Sequence, residues 1–319
     1  MTRRLRTAVL ISGNGSNLQA MMDAASAADY PAAISLVLSN KADAFGLTRA
    51  KNAGVETVII SHRDYPDREA FDKAMDAALR EAKIELVVMA GFMRILSDWF
   101  VNAWAGKLIN IHPSLLPKFK GMHTHQRAID AGERQHGCTV HWVIPALDSG
   151  EIIGQAALEI SPSDTADTLA DRVHALEHVL YPEAVKKVAV SIRKNRDYFV
   201  EGFPFEKINA LLNLNITHNA VRVHKPLWHK IATYHPDSKD LVEHYLDATI
   251  ADPEYIGQAP KHFENIELLR HTPLGILLVA VKIRNTKGFY CRPIIASAYK
   301  IEPAKLRNRI QNSRVHRLK

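Results

Sequence analysis

Cysteine is nearly missing from this chain of 319 residues: only Cys138 and Cys291 occur, far apart. Two thiols at that separation match no metal-ligand or redox spacing, which argues against a disulfide framework or a zinc site; a reducing cytoplasm is the expected compartment. No run of 18 apolar residues exists, so no membrane partner is expected. Internal repeats and low-complexity tracts are absent as well. The opening "MTRRLRTAVLISG" is basic and then apolar, but its apolar run is too short for a signal peptide and reads as a first β-strand. Acidic residues are scarce in one half only. Residues 1–190 carry 20 Lys and Arg against 22 Asp and Glu, whereas residues 191–319 carry 21 against 12. That asymmetry suggests two units with different partners, the second either a nucleic-acid binder or a unit with an ordinary solvated basic surface.

What is present is an ordinary globular composition, 47% hydrophobic and 24% charged, in a chain long enough for two or three domains. Over the first 110 residues, short apolar runs alternate with amphipathic stretches, the pattern of a parallel sheet with crossover helices. The runs are Thr7–Ser12, Ile34–Ser39, Val55–Ile60, Leu86–Gly91 and Leu108–Ile111. They predict an α/β fold with a doubly wound, mostly parallel sheet. "CTVHWVIPALDSGEIIGQAALEI" then reads as two extended segments around a loop. "TADTLADRVHALEHVLYPEAVKKVAVSIRK" reads as a long helix capped by Asp164 or Thr165. Past Asn195 the periodicity weakens. We place a first domain at 1–195 and a smaller, basic α+β domain at 196–319, with a helix at Lys239–Ile250, turn signals at "ADPEYIG", and antiparallel strands at "GILLVAVKI" and "CRPIIASAY".

Two stretches carry candidate chemistry. "ISGNGSNLQA" closes the first strand and opens a helix, so free backbone N–H groups and the helix dipole converge on Gly15, Ser16 and Asn17. It lacks the third glycine of a dinucleotide fingerprint and the Gly-Lys-Ser/Thr of a Walker loop. On its own it is equally a structural turn or a phosphate site. "NIHPSLLP" places Asn110 and His112 two residues apart at a strand end, pointing to one side. Strand ends of that kind hold the ligands of doubly wound sheets, and Asp148 in the "LDSGE" loop is the candidate partner of His112.

Residues 1 to about 190 resemble glycinamide ribonucleotide formyltransferase through "ISGNGSNLQA", "SNKADAFGL", "AGFMRIL", "NIHPSLLP", "GMHTHQRAI" and "RVHALEHVLYP". The resemblance implies 10-formyltetrahydrofolate as cosubstrate, no metal, and Asn110, His112 and Asp148 as catalytic residues. It implies that the ribonucleotide phosphate lies on Gly15, Ser16, Asn17, Leu18 and Gln19, and that Glu177 reaches its amine or ribose end. It also implies that the folate lies along Met93, Arg94, Ile95, Leu96 and Asn110, with Arg68 near its tail. Methionyl-tRNA formyltransferases share "HPSLLP" and the aspartate loop, so formyl transfer to methionyl-tRNA is the alternative; "GNGSN" favours the small ribonucleotide. His123 and His125 are expected to be structural. Family members commonly have proline in place of Lys120 and Glu151.

From about Phe203 onward the chain resembles phage-associated nuclease-like domains of the barnase, EndoU and RelE group. That resemblance implies RNA as a partner and His229, His235, Lys282, Arg284 and Tyr299 as residues of a second site. A toxin-like or RNA-binding protein with a formyltransferase scaffold is the remaining alternative.

Overall fold

The computed structural model describes residues 4–194, 197–214, 216, 219–259, 265–283 and 293–318. The chain divides into two compact units, one spanning Arg4–Ala189 and the other beginning at Val190.

The first unit is built on β1 (Leu5–Ile11), α1 (Ser16–Ala25), β2 (Ala32–Ser39), α2 (Phe45–Asn52), β3 (Thr57–Ile59), α3 (Arg68–Glu81) and β4 (Leu86–Met89). It continues through α4 (Asp98–Ala103), β5 (Leu108–His112), α5 (Thr124–Asp130), β6 (Gln135–Trp142), β7 (Ile152–Glu159) and the long α6 (Ala166–Lys194). The sheet order is β3-β2-β1-β4-β5-β6-β7. Pairing is parallel from β3 through β5 and antiparallel for β6 and β7. Strand order reverses beside β1, so the carboxyl ends of β1, β4 and β5 open onto a common crevice.

The central strands are apolar because helices cover both sides: Ala8, Val9, Leu10, Val87, Val88 and Ile109 are all fully buried. In α1 the buried residues Leu18, Met21, Met22 and Ala25 recur at helical spacing. Each large apolar side chain so buried stabilises the fold by about 1.5–3 kcal/mol. Asp67 caps α3 by accepting from the Ala70 N–H at 2.8 Å. Asp76 on the same helix accepts from the Trp104 indole N–H at 2.9 Å, tying α3 to the end of α4. Tyr181 of α6 is fully buried and donates to the Met89 carbonyl at 2.8 Å. This pins α6 over the end of β4 and places the preceding turn of the helix at the crevice.

The second unit contains β8 (Tyr198–Glu201), α7 (Phe205–Leu212), β9 (Ala220–Val223), α8 (Pro226–Tyr234), α9 (Lys239–Ala251), β10 (Tyr255–Gln258) and β11 (Asn265–Thr272). After these come β12 (Gly275–Lys282), β13 (Ile294–Ile301), α10 (Pro303–Gln311) and β14 (Val315–Arg317). The sheet order is β14-β10-β11-β12-β13-β9-β8. Two expectations change here. The "ADPEYIG" turn contains the strand β10, because four residues paired on both sides need no period of their own to be extended. The sheet is mixed, since β13 meets β9 in parallel at Ile294 and Arg222.

Candidate active site

The turn after β1 is shaped by close backbone packing. Gly15 has φ +75°, and a Cβ there would lie 2.7 Å from the Cα of Gly46, so any side chain would have to push α2 away. Helix α1 begins at this residue with no side-chain cap, which leaves its first N–H groups free to face an anion. The Gln19 N–H is already taken by the Gly15 carbonyl at 3.0 Å, and its side-chain amide by Asp23 at 2.8 Å. Leu18 is fully buried. Of the five turn residues expected to hold phosphate, Gly15, Ser16 and Asn17 line the crevice, whereas Leu18 and Gln19 do not. Ser12 ties this turn to the loop after β4: its hydroxyl donates to Asn40 Oδ1 at 2.6 Å and accepts from the Met93 N–H at 2.8 Å.

The crevice is a cavity of about 800 Å³. It is lined by Gly13–Asn17, His174 and Glu177, by Met93, Arg94, Ile95 and Leu96, and by Met122, Ile144 and Leu147. Met93, Ile95 and Met122 are more than half exposed, an unusual display of apolar surface that suits a flat aromatic ring. Arg68 is not among the lining residues; it is exposed at the first position of α3.

Asn110, His112 and Asp148 line the same cavity. His112 is buried at 6% exposure, with Nδ1 3.4 Å from Asp148 Oδ2 and Nε2 3.0 Å from the Phe119 carbonyl oxygen. Both ring nitrogens thus face acceptor oxygens. Asp148 adopts φ +46° and accepts from the Gly121 N–H at 3.0 Å.

One catalytic neighbour, His141, escaped the sequence reading. His141 sits opposite Asn110 in the β5–β6 register, with Nε2 3.5 Å from Asn110 Nδ2 and 3.7 Å from Asp148 Oδ1. The alternation of β6 carried the signal, but only once its pairing with β5 was known. Burial pushes the pKa of His141 down. His123 and His125 also line the cavity. His125 is pushed down to about 4, by burial first and by neighbouring histidines second, and its Nδ1 lies 3.1 Å from His136 Nε2. Glu177, almost fully buried, accepts from Asn17 Nδ2 at 2.7 Å across 160 residues of sequence. Burial raises its pKa against the opposing effect of that bond. Cys138 is buried, its thiol pushed up to about 12 by burial, so it is inert.

In the second unit, His235 stacks on Tyr299 with ring centroids 4.7 Å apart. Tyr299 is raised by burial, then by Glu267, with Arg309 opposing. Lys282 ends β12, the strand whose Leu278 lies opposite Tyr299. His229 stands on the exposed side of α8, and Arg284 and Cys291 lie outside the described residues. Among the described residues, no group of three His, Cys, Asp or Glu could hold a metal ion, and no helix is long and apolar enough to cross a membrane.

An amide, an imidazole and a carboxylate converging beside an anion turn, at the strand ends of a doubly wound sheet, are the equipment of a group-transfer enzyme. The chain matches the formyl transferase family over residues 5–185, more than half its length, and belongs to that family. It is 47% identical over 174 residues to phosphoribosylglycinamide formyltransferase of Escherichia coli strain K12, covering 54% of this chain and 82% of that protein. It is 52% identical over 188 residues to the trifunctional purine biosynthetic protein adenosine-3 of Drosophila pseudoobscura pseudoobscura, covering 58% of this chain. It spans only 14% of that much longer relative. Among solved structures, phosphoribosylglycinamide formyltransferase of Coxiella burnetii in complex with CHES aligns with a TM-score of 0.57 at 48% identity, over 59% of this chain and 89% of the other.

Proposed function

We propose that the first unit transfers the formyl group of 10-formyltetrahydrofolate to the primary amine of glycinamide ribonucleotide, in the cytoplasm. The observation that carries this reading is that the uncapped start of α1, the Asn110, His112 and Asp148 set and the exposed apolar side chains Met93, Ile95 and Met122 all open into one cavity. The phosphate rests on the N–H groups of Ser16 and Asn17 and directs the amine toward the middle of the cavity. The folate ring lies along Met93 to Leu96.

As the amine attacks, a bond forms from its nitrogen to the formyl carbon and the bond from that carbon to the folate nitrogen breaks. One proton passes from the incoming amine to the departing nitrogen. Negative charge develops on the formyl oxygen; the Asn110 amide donates to it, and so does the His112 Nε2–H once it leaves the Phe119 carbonyl. His112 also carries the proton, while Asp148 orients the ring and stabilises its charged form.

Purified protein supplied with glycinamide ribonucleotide and 10-formyltetrahydrofolate is expected to turn over, and Asp148→Asn to lose about 10²-fold or more in kcat. Turnover of methionyl-tRNA in place of the ribonucleotide would overturn the assignment of acceptor.

For the second unit we infer a surface for single-stranded RNA. The supporting observation is charge: residues 282–319 hold 11 Lys and Arg against the single acid Glu302. Lys282, Lys305, Arg307, Arg314 and Arg317 have no ion-pair partner among the described residues. A labelled oligoribonucleotide is expected to bind the full chain with a steep salt dependence. Charge reversal at Lys305 and Arg307 together is expected to flatten the plot of log K against log salt by at least about 1.4. An unchanged slope would sink the inference.

A further inference from the structure

The turn between β5 and α5 holds the catalytic pair with its backbone, and something must hold the turn. Phe119, Gly121 and His123 all have positive φ, at +54°, +77° and +57°, a conformation that two of these three side chains disfavour. The backbone groups of the turn are divided between two sides. Toward the site, the Phe119 carbonyl oxygen lies 3.0 Å from His112 Nε2 and the Gly121 N–H donates to Asp148 at 3.0 Å. The carbonyls of Lys120 and Met122 are held elsewhere, both accepting from Nη1 of Arg127, at 2.7 and 3.2 Å. The same guanidinium lies 5.5 Å from the ring centroid of Phe119, within cation–π range.

The Lys120 carbonyl and the Gly121 N–H belong to one peptide group, which is planar and trans, so the two point in opposite directions. Arg127 therefore grips one end of a rigid plate whose other end grips Asp148. The Asp148 oxygen so held, Oδ2, is the one that faces His112 Nδ1 at 3.4 Å. A second tie runs nearby, where the Lys120 ammonium donates to the Ser149 hydroxyl at 2.5 Å. Arg127 itself is exposed and does not line the cavity.

We propose that Arg127 is a positioning residue for formyl transfer: by clamping the outer end of the Lys120–Gly121 peptide it fixes the orientation of Asp148, and through it that of His112. The proposal rests on the formyl-transfer reading above for its kinetic effect, though not for its structural one. Misplacement of a catalytic group by about 1 Å can cost 10²-fold in rate. Arg127→Ala is therefore expected to lower kcat by about 10- to 100-fold while the KM values for both substrates stay within about twofold, because the turn at Gly15 and the wall at Met93 are untouched. Arg127→Lys, which keeps one charged donor, is expected to recover part of the loss, and added guanidinium ion to rescue Arg127→Ala.

The Gly121 amide supplies a readout that needs no turnover. In the full chain its hydrogen exchange is expected to quicken by about tenfold in Arg127→Ala, at unchanged thermal midpoint. The clamp is overturned if Gly121 exchange is unaltered, or if kcat stays within twofold of an active parent. A parent inactive on the ribonucleotide, with Gly121 still loosened by the substitution, would refute the assigned reaction and leave the clamp standing.

Discussion

Replacing His112 with alanine is expected to lower kcat for formyl transfer by about 10²- to 10⁴-fold, with the KM for glycinamide ribonucleotide nearly unchanged. The expectation comes from position. His112 is the last residue of β5, and its ring lies between the Asp148 carboxylate and the Phe119 carbonyl with almost no exposure. With Nδ1 held by Asp148, the ring has only to exchange the Phe119 carbonyl for the reacting atoms at Nε2 in order to deliver a proton. The phosphate turn lies at the end of β1 and meets α2 through Gly15 and Gly46, so truncating His112 leaves ribonucleotide binding intact. Asn110→Ala should cost less, about 10²- to 10³-fold, because it removes one donor to the formyl oxygen and leaves the proton path in place. The same steady-state rates, measured at saturating folate, test both. Equal and small losses in the two variants would mean that neither residue meets the reacting atoms.

The parts of this site that could be read from the sequence are those in which chemistry and chain order coincide. The anion turn lies within one strand-to-helix junction, and Asn110 and His112 share one side of a single strand. The sheet that positions them was equally readable, because short runs of apolar residues buried on both faces alternate with amphipathic helices along the chain. His141 was not readable. It reaches Asn110 only through the register of an antiparallel pair, and a shift of one residue would turn it away. The bond from Asn17 to Glu177 spans nearly the whole first unit and depends on Tyr181 seating α6 over β4. Arg68 and Gln19 lie outside the cavity lining for local reasons that sequence does not display: Arg68 is exposed in the first turn of α3, and the Gln19 N–H is committed to the Gly15 carbonyl. In the second unit the four-residue strands β8, β9 and β10 are too short to establish alternation, so their pairing came only with the fold.

Glu177→Gln is expected to act in opposite directions on stability and on binding, and this makes it the sharpest test of the phosphate-and-amine end of the cavity. Glu177 is buried on α6 with one strong donor, the Asn17 amide, and burial raises its pKa above the ordinary carboxylate value. For an acid whose folded pKa is raised, the stabilising contribution is present below the unfolded pKa and disappears as pH rises through the folded one. Above its folded pKa the native protein therefore carries a charge that its surroundings disfavour. Glutamine keeps an oxygen to accept from Asn17 and removes that charge, so the thermal midpoint of the variant should gain on the parent's as pH rises and converge with it at acidic pH. Binding should move the other way. A hydrogen bond to a charged group contributes about 1.5–3 kcal/mol, so losing the carboxylate that faces the amine or ribose should raise the KM for the ribonucleotide by about 10- to 150-fold. The KM for the folate should stay put, since the hydrogen bond of Glu177 is to Asn17 of the phosphate turn. A buried charge that weakens the fold while strengthening one substrate's grip belongs to a binding site, where stability is given up for function. Loss of stability in Glu177→Gln at neutral pH, or equal changes in both KM values, would show that Glu177 instead serves as a structural support for α6.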